Sequence, residues 1–475
     1  MKKSFSGVIL CQIRFLLKQP LHKGFYCIVK RLKMRKKFYI ETYGCQMNVA
    51  DSEVVSSIMS ENGYDQTPEM EEADLILVNT CSIRENAEQR VWGRLDVFKQ
   101  IKNQHPNVKV GVIGCMAERL KEKLIEKEKS VDLVIGPDSY RALPKLIETV
   151  DSGQKGINTL LSKEETYGDI APVRAGKNQI SAFISIMRGC NNMCSYCIVP
   201  FVRGRERSRD PQTIISEASE LSEQGFKEIT LLGQNVDSYA WKRPDGTVMP
   251  FAELLEQTAK INPSLRIRFA TSHPKDLSDE VLKVISKYEN ICRHIHLPVQ
   301  SGSTRILKKM NRGYSRDWYM NRIDAIRKYL PDAEITTDIM TGFCDETEED
   351  HKDTLSLMEY ANYDFAYMFK YSERPGTKAA RRMEDNVPEE TKKRRLNEII
   401  ELQNRLSAEN KKKAVGQTFT VLIESTSKKS ENEYSGRNSQ NQVVVFPKNG
   451  QKTGDFVNVE IKDTTPATLL GKNID

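Results

Sequence analysis

Short apolar runs alternate with segments of helical periodicity over the first folded part of the chain. The apolar runs have the length of buried strands and read, in order, FYIETYG, DLILVNT, VKVGVIG and VDLVIG. Helical stretches such as VADSEVVSSIMSENG and AERLKEKLIEKE lie between them. Alternation of this kind predicts a parallel sheet with flanking helices. We therefore expect an N-terminal parallel α/β sheet domain over residues 37–152.

The same alternation resumes on a larger scale after a polar connection at residues 153–178, which we predict to be a linker. The strand-like runs are now FISIM, KEITLLG, RIRFA, RHIHLP, AEITTDIM and YDFAYMFK, and each but the last is followed by a helical pattern. Six strand–helix units do not close a full eight-unit barrel. The sequence therefore predicts a partial, open (β/α)6 barrel over residues 179–412, so that the fold class is α/β.

The last segment, residues 413–475, changes character. Its segments TFTVLIES, EYSGRNSQNQVVVFP, DFVNVEIKD and ATLLGKN are typical of short strands joined by polar turns. This pattern predicts a small five-stranded β-barrel at the C-terminus.

Basic residues are concentrated at the start of the chain. The 475 residues carry a formal net charge of +7, but residues 1–37 hold eleven Lys and Arg and no acidic residue. Net charge is therefore weak evidence for a nucleic-acid partner. We predict that residues 1–36 form a disordered basic tail, since Arg14 and Lys18 interrupt any signal-peptide pattern. No run of about 18 uncharged apolar residues exists, so we expect no membrane span and a cytoplasmic protein.

Three cysteines lie close together directly after the first strand of the predicted barrel, at the end where barrel active sites lie. They are Cys190, Cys194 and Cys197. Thiolates at this spacing suit an iron–sulfur cluster or zinc. Three ligands would leave one iron of a four-iron cluster open, as a catalytic metal requires. A structural zinc site is the alternative, although no histidine lies nearby in the sequence to complete it.

Three further cysteines share one topological position in the N-terminal domain. Cys45, Cys81 and Cys115 each follow a predicted strand and precede a helix. Ligands of parallel α/β sheets gather at the carboxyl ends of the strands, so we expect these thiols to converge. The following helices would aim their positive N-termini at an anionic cluster. The alternative is three unrelated buried thiols.

Eight motifs in order connect the chain to a known family. They are ETYGCQMN, NTCSIRENAEQRVWGRL, IGCMAERL, MRGCNNMCSYCIVPFVRGRERSR, LLGQNVDSY, FATSHP, HLPVQSGS and MNRGYSRDWY. Together they resemble the methylthiotransferases of the radical S-adenosylmethionine superfamily, from Lys37 to the C-terminus. The first motif resembles that of the branch that acts on dimethylallyl adenosine. It differs from the motifs of the branches that act on a ribosomal protein or on threonylcarbamoyl adenosine.

The resemblance implies two 4Fe–4S clusters and S-adenosylmethionine as cofactors. It assigns Cys45, Cys81 and Cys115 to an auxiliary cluster and the other triad to the cluster that binds and reductively cleaves S-adenosylmethionine. The implied reaction is methylthiolation of carbon 2 of N(6)-dimethylallyladenosine at tRNA position 37, next to the anticodon. The C-terminal barrel would be TRAM-like and bind RNA. A low-potential electron donor such as flavodoxin and a monomeric state are also expected.

Six further residues at or near strand ends are candidates for cofactor binding, and no catalytic residue is assigned. They are Tyr196, Gln234, Asn235, His296, Gln300 and Asp338. Apart from Tyr196, which stands beside the last barrel cysteine, each could equally be a hydrogen-bonded structural residue.

Four arginines and one cysteine raise further hypotheses. Arg203, Arg205, Arg207 and Arg209 follow the cysteine loop and are candidates for contacts with tRNA phosphates, with a solvated charged loop as the alternative. Cys344 stands where the family usually has proline, and a silent thiol is the favoured interpretation.

Two other functions stay open from the sequence. One is a radical methylthiotransferase that acts on a ribosomal protein. The other is a non-catalytic iron–sulfur or zinc scaffold that binds RNA.

Overall fold

A six-stranded parallel sheet forms the first domain of this computed structural model, which describes residues 35–82, 85–174 and 180–475. The strands are β1 (Lys36–Tyr43), β2 (Tyr64–Gln66), β3 (Leu75–Thr80), β4 (Lys109–Gly114), β5 (Leu133–Ile135) and β6 (Gly156–Asn158). They pair in the order β2-β1-β3-β4-β5-β6. Every residue of β3 is buried, as expected for a central strand covered on both faces.

The helices of this domain pack on both faces of the sheet. They are α1 (Gln46–Glu61), α2 (Glu85–Gln104), α3 (Cys115–Leu120), α4 (Glu122–Lys127) and α5 (Leu143–Asp151). Two separate apolar clusters result, one containing α1 and α5 residues and the other α2, α3 and α4 residues. The predicted parallel α/β sheet domain is confirmed.

The structure differs from the sequence analysis at both edges of this sheet. Strands β2 and β6 are three residues each, YDQ and GIN, and offer no apolar run to detect. Strand β6 falls inside residues 153–178, so part of the predicted linker completes the sheet. The predicted tail lies outside the described residues up to residue 34, whereas Lys36 already begins β1.

The second domain contains all six predicted barrel strands and four short additional ones. They are β7 (Ser181–Ser185), β8 (Met187–Arg188), β9 (Arg207–Ser208), β10 (Glu228–Leu232), β11 (Ala240–Lys242), β12 (Val248–Pro250), β13 (Arg266–Ala270), β14 (His294–His296), β15 (Glu334–Thr341) and β16 (Phe365–Lys370). One parallel sheet runs β7-β10-β13 and the other β14-β15-β16. A parallel bridge between Ile267 and Ile291 joins them into a six-stranded open barrel.

The outer layer of the barrel is helical. The helices are α6 (Val199–Arg203), α7 (Pro211–Glu223), α8 (Phe251–Ala259), α9 (Asp279–Lys287), α10 (Thr304–Lys309), α11 (Arg316–Tyr329), α12 (Glu348–Ala361), α13 (Lys378–Arg382) and α14 (Glu389–Lys412). Several begin at a side-chain cap; at α12, Thr347 and Asp350 satisfy each other's backbone N–H groups. The predicted partial (β/α)6 barrel is confirmed.

The third domain is a closed five-stranded barrel, in which four strand pairs are antiparallel and one is parallel. Its strands are β17 (Thr418–Thr426), β18 (Glu433–Arg437), β19 (Val443–Pro447), β20 (Phe456–Thr464) and β21 (Leu469–Asn473). They close in the order β17-β18-β19-β21-β20, around a core that includes Phe446 and Ile461. The small C-terminal barrel is therefore confirmed as well.

Two arginines of β13 attach this small barrel to the larger one. Arg266 donates to the carbonyl oxygens of Arg437 and Thr420 at 2.8 and 3.1 Å, and Arg268 donates to that of Asn438 at 2.8 Å. None of the helices in the described part of the chain has the length and apolarity of a membrane span.

Candidate functional site

The first cysteine triad is assembled by three neighbouring strands that end in register. Tyr43 of β1 lies opposite Thr80 of β3, which lies opposite Gly114 of β4. The cysteines follow within two residues: Cys45 caps α1, Cys81 continues β3, and Cys115 is the first residue of α3. The structure therefore brings the three cysteines together at the carboxyl ends of neighbouring strands, as the sequence predicts.

Asparagines pack around this triad and shape the backbone. Asn48 Oδ1 accepts from the Cys45 backbone N–H and thiol, both at 3.2 Å, and Asn48 Nδ2 donates to Asn79 Oδ1 at 3.0 Å. A Cβ on Gly114 would lie only 2.4 Å from Asn79 Oδ1, and its φ of +91° also favours glycine. The residue before Cys115 is thus fixed as glycine by the same amide network that holds Cys45.

An arginine of the barrel domain completes this site. Arg203, the last residue of α6, donates from Nε to Cys115 Sγ at 3.2 Å and from Nη2 to Asp51 Oδ2 at 2.8 Å. A side-chain hydrogen bond with Cys81 lowers the pKa of Cys45 to about 6, and the Arg203 charge acts in the same direction. Burial, in contrast, raises the pKa of Cys115.

A buried ion-pair network holds Arg203 in place. Asp51 of α1 accepts from Arg188 at 2.7 Å as well as from Arg203, and all three side chains are buried. Burial opposes ionisation of Asp51, but the two guanidinium groups keep its pKa below the usual range. Charges at this depth are stable only when paired. The network therefore fixes the N-terminal domain against the mouth of the barrel.

The second triad sits in one loop between β8 and α6. Ser195 anchors this loop: its backbone N–H donates to the Met310 carbonyl at 2.8 Å and its hydroxyl to the Lys309 carbonyl at 2.7 Å. Gly189, just before Cys190, has a φ of +79°, and a Cβ there would come within 2.0 Å of the Arg205 carbonyl oxygen. The loop path requires glycine at this point.

A second buried arginine serves this loop. Arg312 donates to Cys194 Sγ at 3.3 Å, to Tyr196 Oη at 3.4 Å and to the Pro298 carbonyl at 2.6 Å. Burial raises the pKa of both Cys190 and Cys197 to about 12. These two thiols lack an arginine of their own, so metal binding is the means of making them thiolates at neutral pH.

Both triads open onto one cavity of about 1390 Å³ between the three domains. Its wall contains Cys45 and Cys81 of the first triad and Cys197 of the second. Four of the six candidate cofactor residues also line it, namely Tyr196, His296, Gln300 and Asp338. His296 Nε2 lies 3.5 Å from Asp338 Oδ1, and Gln300 donates its backbone N–H to the Asp338 carbonyl at 2.8 Å.

The other two candidate cofactor residues do not line this cavity. Asn235 is buried and donates to Asp276 at 2.7 Å, while Asp276 also accepts from Asn192 of the cysteine loop at 3.5 Å. Gln234 keeps a buried side-chain oxygen without a hydrogen-bond partner. Asn235 is therefore connected to the cysteine loop through Asp276, which suits it to supporting the loop rather than lining the cavity.

The hypothesis that four arginines contact tRNA phosphates is wrong for three of them. Arg203, Arg207 and Arg209 are buried and pair with Asp51, Asp138 and Glu217 respectively, and only Arg205 is exposed. Each buried arginine meets a carboxylate that the sequence gives no reason to place nearby.

Sequence reasoning also missed Arg312 and Asp51 as site residues. Arg312 lies in the family motif MNRGYSRDWY, which could have pointed to it as a site residue. Asp51 lies on helix α1, and no motif or spacing around it indicates a role in the site. Cys344 is buried with Phe343 and Tyr371 in an apolar cluster that Tyr196 packs against. It lies with neither triad, in agreement with a silent thiol.

Family models match three consecutive parts of the chain. They are the Uncharacterized protein family UPF0004 over residues 37–136, the Radical SAM superfamily over residues 184–358 and the TRAM domain over residues 412–474. Among solved structures, the radical S-adenosylmethionine methyltransferase TsrM from Kitasatospora setae aligns with a TM-score of 0.56. It is 14% identical and covers 73% of this chain and 75% of its own. That likeness is one of fold. The barrel and its cysteine loop define a radical S-adenosylmethionine enzyme.

Comparison with curated relatives identifies the family. A protein of Amoebophilus asiaticus is 58% identical over 92% of both chains, and one of Christiangramia forsetii is 56% identical over 94% of this chain and 95% of its own. One of Bacteroides fragilis is 57% identical over 92% of this chain and 96% of its own. All three are named tRNA-2-methylthio-N(6)-dimethylallyladenosine synthase. The chain belongs to this family.

Family membership implies S-adenosylmethionine and two 4Fe–4S clusters, and the residues present fit them. Each triad supplies three soft thiol donors, of which Cys45, Cys81 and Cys197 reach the cavity wall, and each has one arginine N–H directed at a sulfur. Within the described ranges, no three His, Cys, Asp or Glu side chains are grouped tightly enough for a single metal ion. A cluster has separate irons for its thiolates and does not need the ligands to meet at one point.

Proposed function

We propose that this chain transfers a methylthio group to carbon 2 of N(6)-dimethylallyladenosine in tRNA, at position 37 beside the anticodon. The observation that carries the proposal is the single cavity lined by cysteines of both triads. Carbon 2 of adenine bears an unactivated C–H bond, so a radical source and a sulfur source must both reach it. Two cysteine triads that reach one cavity would meet that requirement by holding two clusters there.

The cysteines would hold the cofactors in two roles. Cys190, Cys194 and Cys197 would bind the cluster at the barrel mouth, and the triad of the N-terminal domain would bind the auxiliary cluster. When bound, the clusters and S-adenosylmethionine would supply reductive cleavage of S-adenosylmethionine, the methyl group and a site that holds the transferred sulfur. Because each triad offers three thiols, each would leave one iron of a four-iron cluster free of cysteine ligands.

The chain's own polar groups would orient what the cavity holds. We assign Tyr196, His296, Gln300 and Asp338 to cofactor binding, because all four line the cavity near Cys197. His296 is held by Thr336, whose hydroxyl lies 3.0 Å from Nδ1, so its Nε2 faces Asp338. Arg203 and Arg312 would each offset thiolate charge at one corner of one cluster.

The proposal also covers partners and location. We assign residues 37–152 to the auxiliary site, residues 179–412 to the radical core and residues 413–475 to RNA binding. We also propose that the protein takes electrons from a low-potential donor such as flavodoxin, that it is a monomer and that it is cytoplasmic.

The decisive experiment is mass spectrometry of tRNA nucleosides from cells that lack the gene. We expect loss of the 2-methylthio group with the dimethylallyl group retained. Complementation with the Cys344→Ala variant should restore the modification, whereas Cys45→Ala should not. An unchanged nucleoside profile would contradict the proposal, and a mass loss in a ribosomal protein instead would identify the other methylthiotransferase class.

A further inference from the structure

Three large aromatic side chains stand in one row on β16. Phe365, Tyr367 and Phe369 occupy alternate positions and are 45%, 48% and 47% exposed, while Ala366 between them is buried. Alternate residues of a strand share one face. The row is therefore about 13 Å long at about 3.3 Å per residue. No other strand in the described ranges has more than one large exposed hydrophobic side chain.

Regular strand pairing and ring contacts hold the aromatic row in place. Strand β16 pairs in parallel with β15, with Phe365 opposite Thr336, Tyr367 opposite Asp338 and Phe369 opposite Met340. The Tyr367 ring stands edge-on to the rings of Phe365 and His296, with centroids 5.0 and 5.8 Å apart. Helix α14 holds the start of the strand, since Ser407 donates to the Asp364 carbonyl at 2.7 Å. The rings are ordered in advance, while about half of each stays open.

The row connects the cysteine sites with the small C-terminal barrel. All three rings line the 1390 Å³ cavity. Phe369 lies at the carboxyl end of its strand, the same end of the barrel as the cysteine loop. Phe365 lies at the opposite end, where Gln442 of the small barrel donates to Glu334 of β15.

Charged groups of both signs lie at the Phe365 end. Lys411 and Arg437 line the cavity there, as do Glu334 and Asp364. Burial raises the pKa of Asp364 to about 6 and that of Glu334 well above its usual range. Asp364 therefore stays mostly ionised at neutral pH and Glu334 is less ionised than a free carboxyl, while Arg437 is cationic and pairs with Glu424 at 2.7 Å.

We propose that the aromatic row of Phe365, Tyr367 and Phe369 is a stacking platform for unpaired bases of the tRNA anticodon loop, next to the adenosine at the cysteines. This inference rests on the proposed function. Base–aromatic stacking is the standard means of holding unpaired nucleotides, and rings spaced along a strand can take successive bases. Paired stem nucleotides keep their ring faces stacked inside the duplex, so the platform selects loop over stem.

The test compares binding of two RNAs to the reconstituted full-length protein. One probe is the anticodon stem-loop with a fluorescent purine in the loop, and the other is a blunt duplex of the same stem. The variants are Phe365→Ala and Tyr367→Ala, both farther from the cysteines than Phe369. Tyr360→Ala is the matched control, because Tyr360 is 43% exposed on α12 and does not line the cavity.

We expect each platform variant to weaken stem-loop binding by roughly 5- to 150-fold and to raise the loop fluorescence that stacking quenches. Duplex binding should not change. Tyr367→Phe, which keeps the ring, should bind as the parent does, and so should Tyr360→Ala. Iron content and circular dichroism of each variant establish that it is folded.

Three results would overturn the platform. They are unchanged stem-loop affinity in folded variants, an equal loss for stem-loop and duplex, and a loss of S-adenosylmethionine binding with RNA binding intact. The last would assign the row to the cofactor. If gene deletion removes the methylthio group but these variants bind normally, only the platform fails. If deletion leaves the nucleoside unchanged, the proposed function itself fails.

Discussion

The two cysteine triads reach similar chemistry by opposite routes. Cys190, Cys194 and Cys197 lie within eight consecutive residues of one loop, held by contacts within the barrel domain. The other triad needs three strands in register, and its nearest charged partner, Arg203, comes from the barrel domain. The barrel triad is local in sequence, whereas the other triad needs the folded sheet to bring its cysteines together and domain docking to bring Arg203. The barrel triad should therefore respond to changes in its loop, and the other triad to changes far from it in sequence.

The largest expected effect separates the roles of the triads. Cys194→Ala removes a ligand from the barrel cluster, so no 5′-deoxyadenosine should form from S-adenosylmethionine. Cys81→Ala should still form it but yield no methylthio product. Chromatography of both products, with iron content measured alongside, checks this. A Cys81→Ala protein with an intact barrel cluster and no cofactor cleavage would refute the division, and methylthio-tRNA from it would make the auxiliary cluster structural.

A second experiment asks whether the auxiliary site depends on domain docking. Asp51→Ala leaves Arg188 and Arg203 buried without their shared carboxylate, which should cost about 3–5 kcal/mol of unfolding free energy. Asp65→Ala is the control, because its pair with Arg35 is exposed and should contribute at most about 1 kcal/mol. Denaturant melts of the two variants provide the comparison. Equal losses would mean that the buried network does not hold the domains together.

A smaller effect concerns the two arginines that face cysteine sulfur. Hydrogen bonds to cluster ligands stabilise the more negative, reduced state. Losing a charged hydrogen bond of about 1.5–3 kcal/mol should lower the midpoint potential by roughly 60–130 mV. Arg312→Ala should shift only the barrel cluster and Arg203→Ala only the auxiliary one. Redox titrations followed by electron paramagnetic resonance test this, with the Lys variants as controls for charge. A shift of both clusters by either variant would show that the sites are not electrostatically separate.

The smallest expected effect is at Cys344. Its thiol is buried among Phe343 and Tyr371 and belongs to neither triad, so Cys344→Ala should keep both clusters and lose only about 1 kcal/mol of stability. Iron analysis beside Cys197→Ala, which should lose a cluster, is the check. Loss of iron from the Cys344 variant would give this thiol a role that the structure does not suggest.

The same contrast explains what the sequence could and could not predict. Apolar runs marked the six main strands of the barrel, though not the short β8, β9, β11 and β12, and the strand-end rule placed Cys45, Cys81 and Cys115 at one edge. The three-residue β2 and β6 escaped because short edge strands bury too little to leave a pattern.

Charged partners escaped for a different reason. Arg203, Arg207 and Arg209 look like a solvent-exposed basic segment until the carboxylates of other elements are placed beside them. Asp51 stands 137 residues from Arg188 and 152 from Arg203. No local pattern encodes a pair at that separation, because the pairing exists only in the docked structure.

Helix α6 has a consequence for how this protein can be taken apart. It begins two residues after Cys197 and ends with the arginine that contacts Cys115, so six residues of chain connect one metal site to the other. A chimera that exchanges residues 37–152 between relatives would separate Asp51 and Cys115 from the arginines that contact them in this chain. The structural unit that forms the auxiliary site is therefore the sheet domain together with Arg188 and α6. Recombination that respects the visible boundary between domains would still cut through that unit.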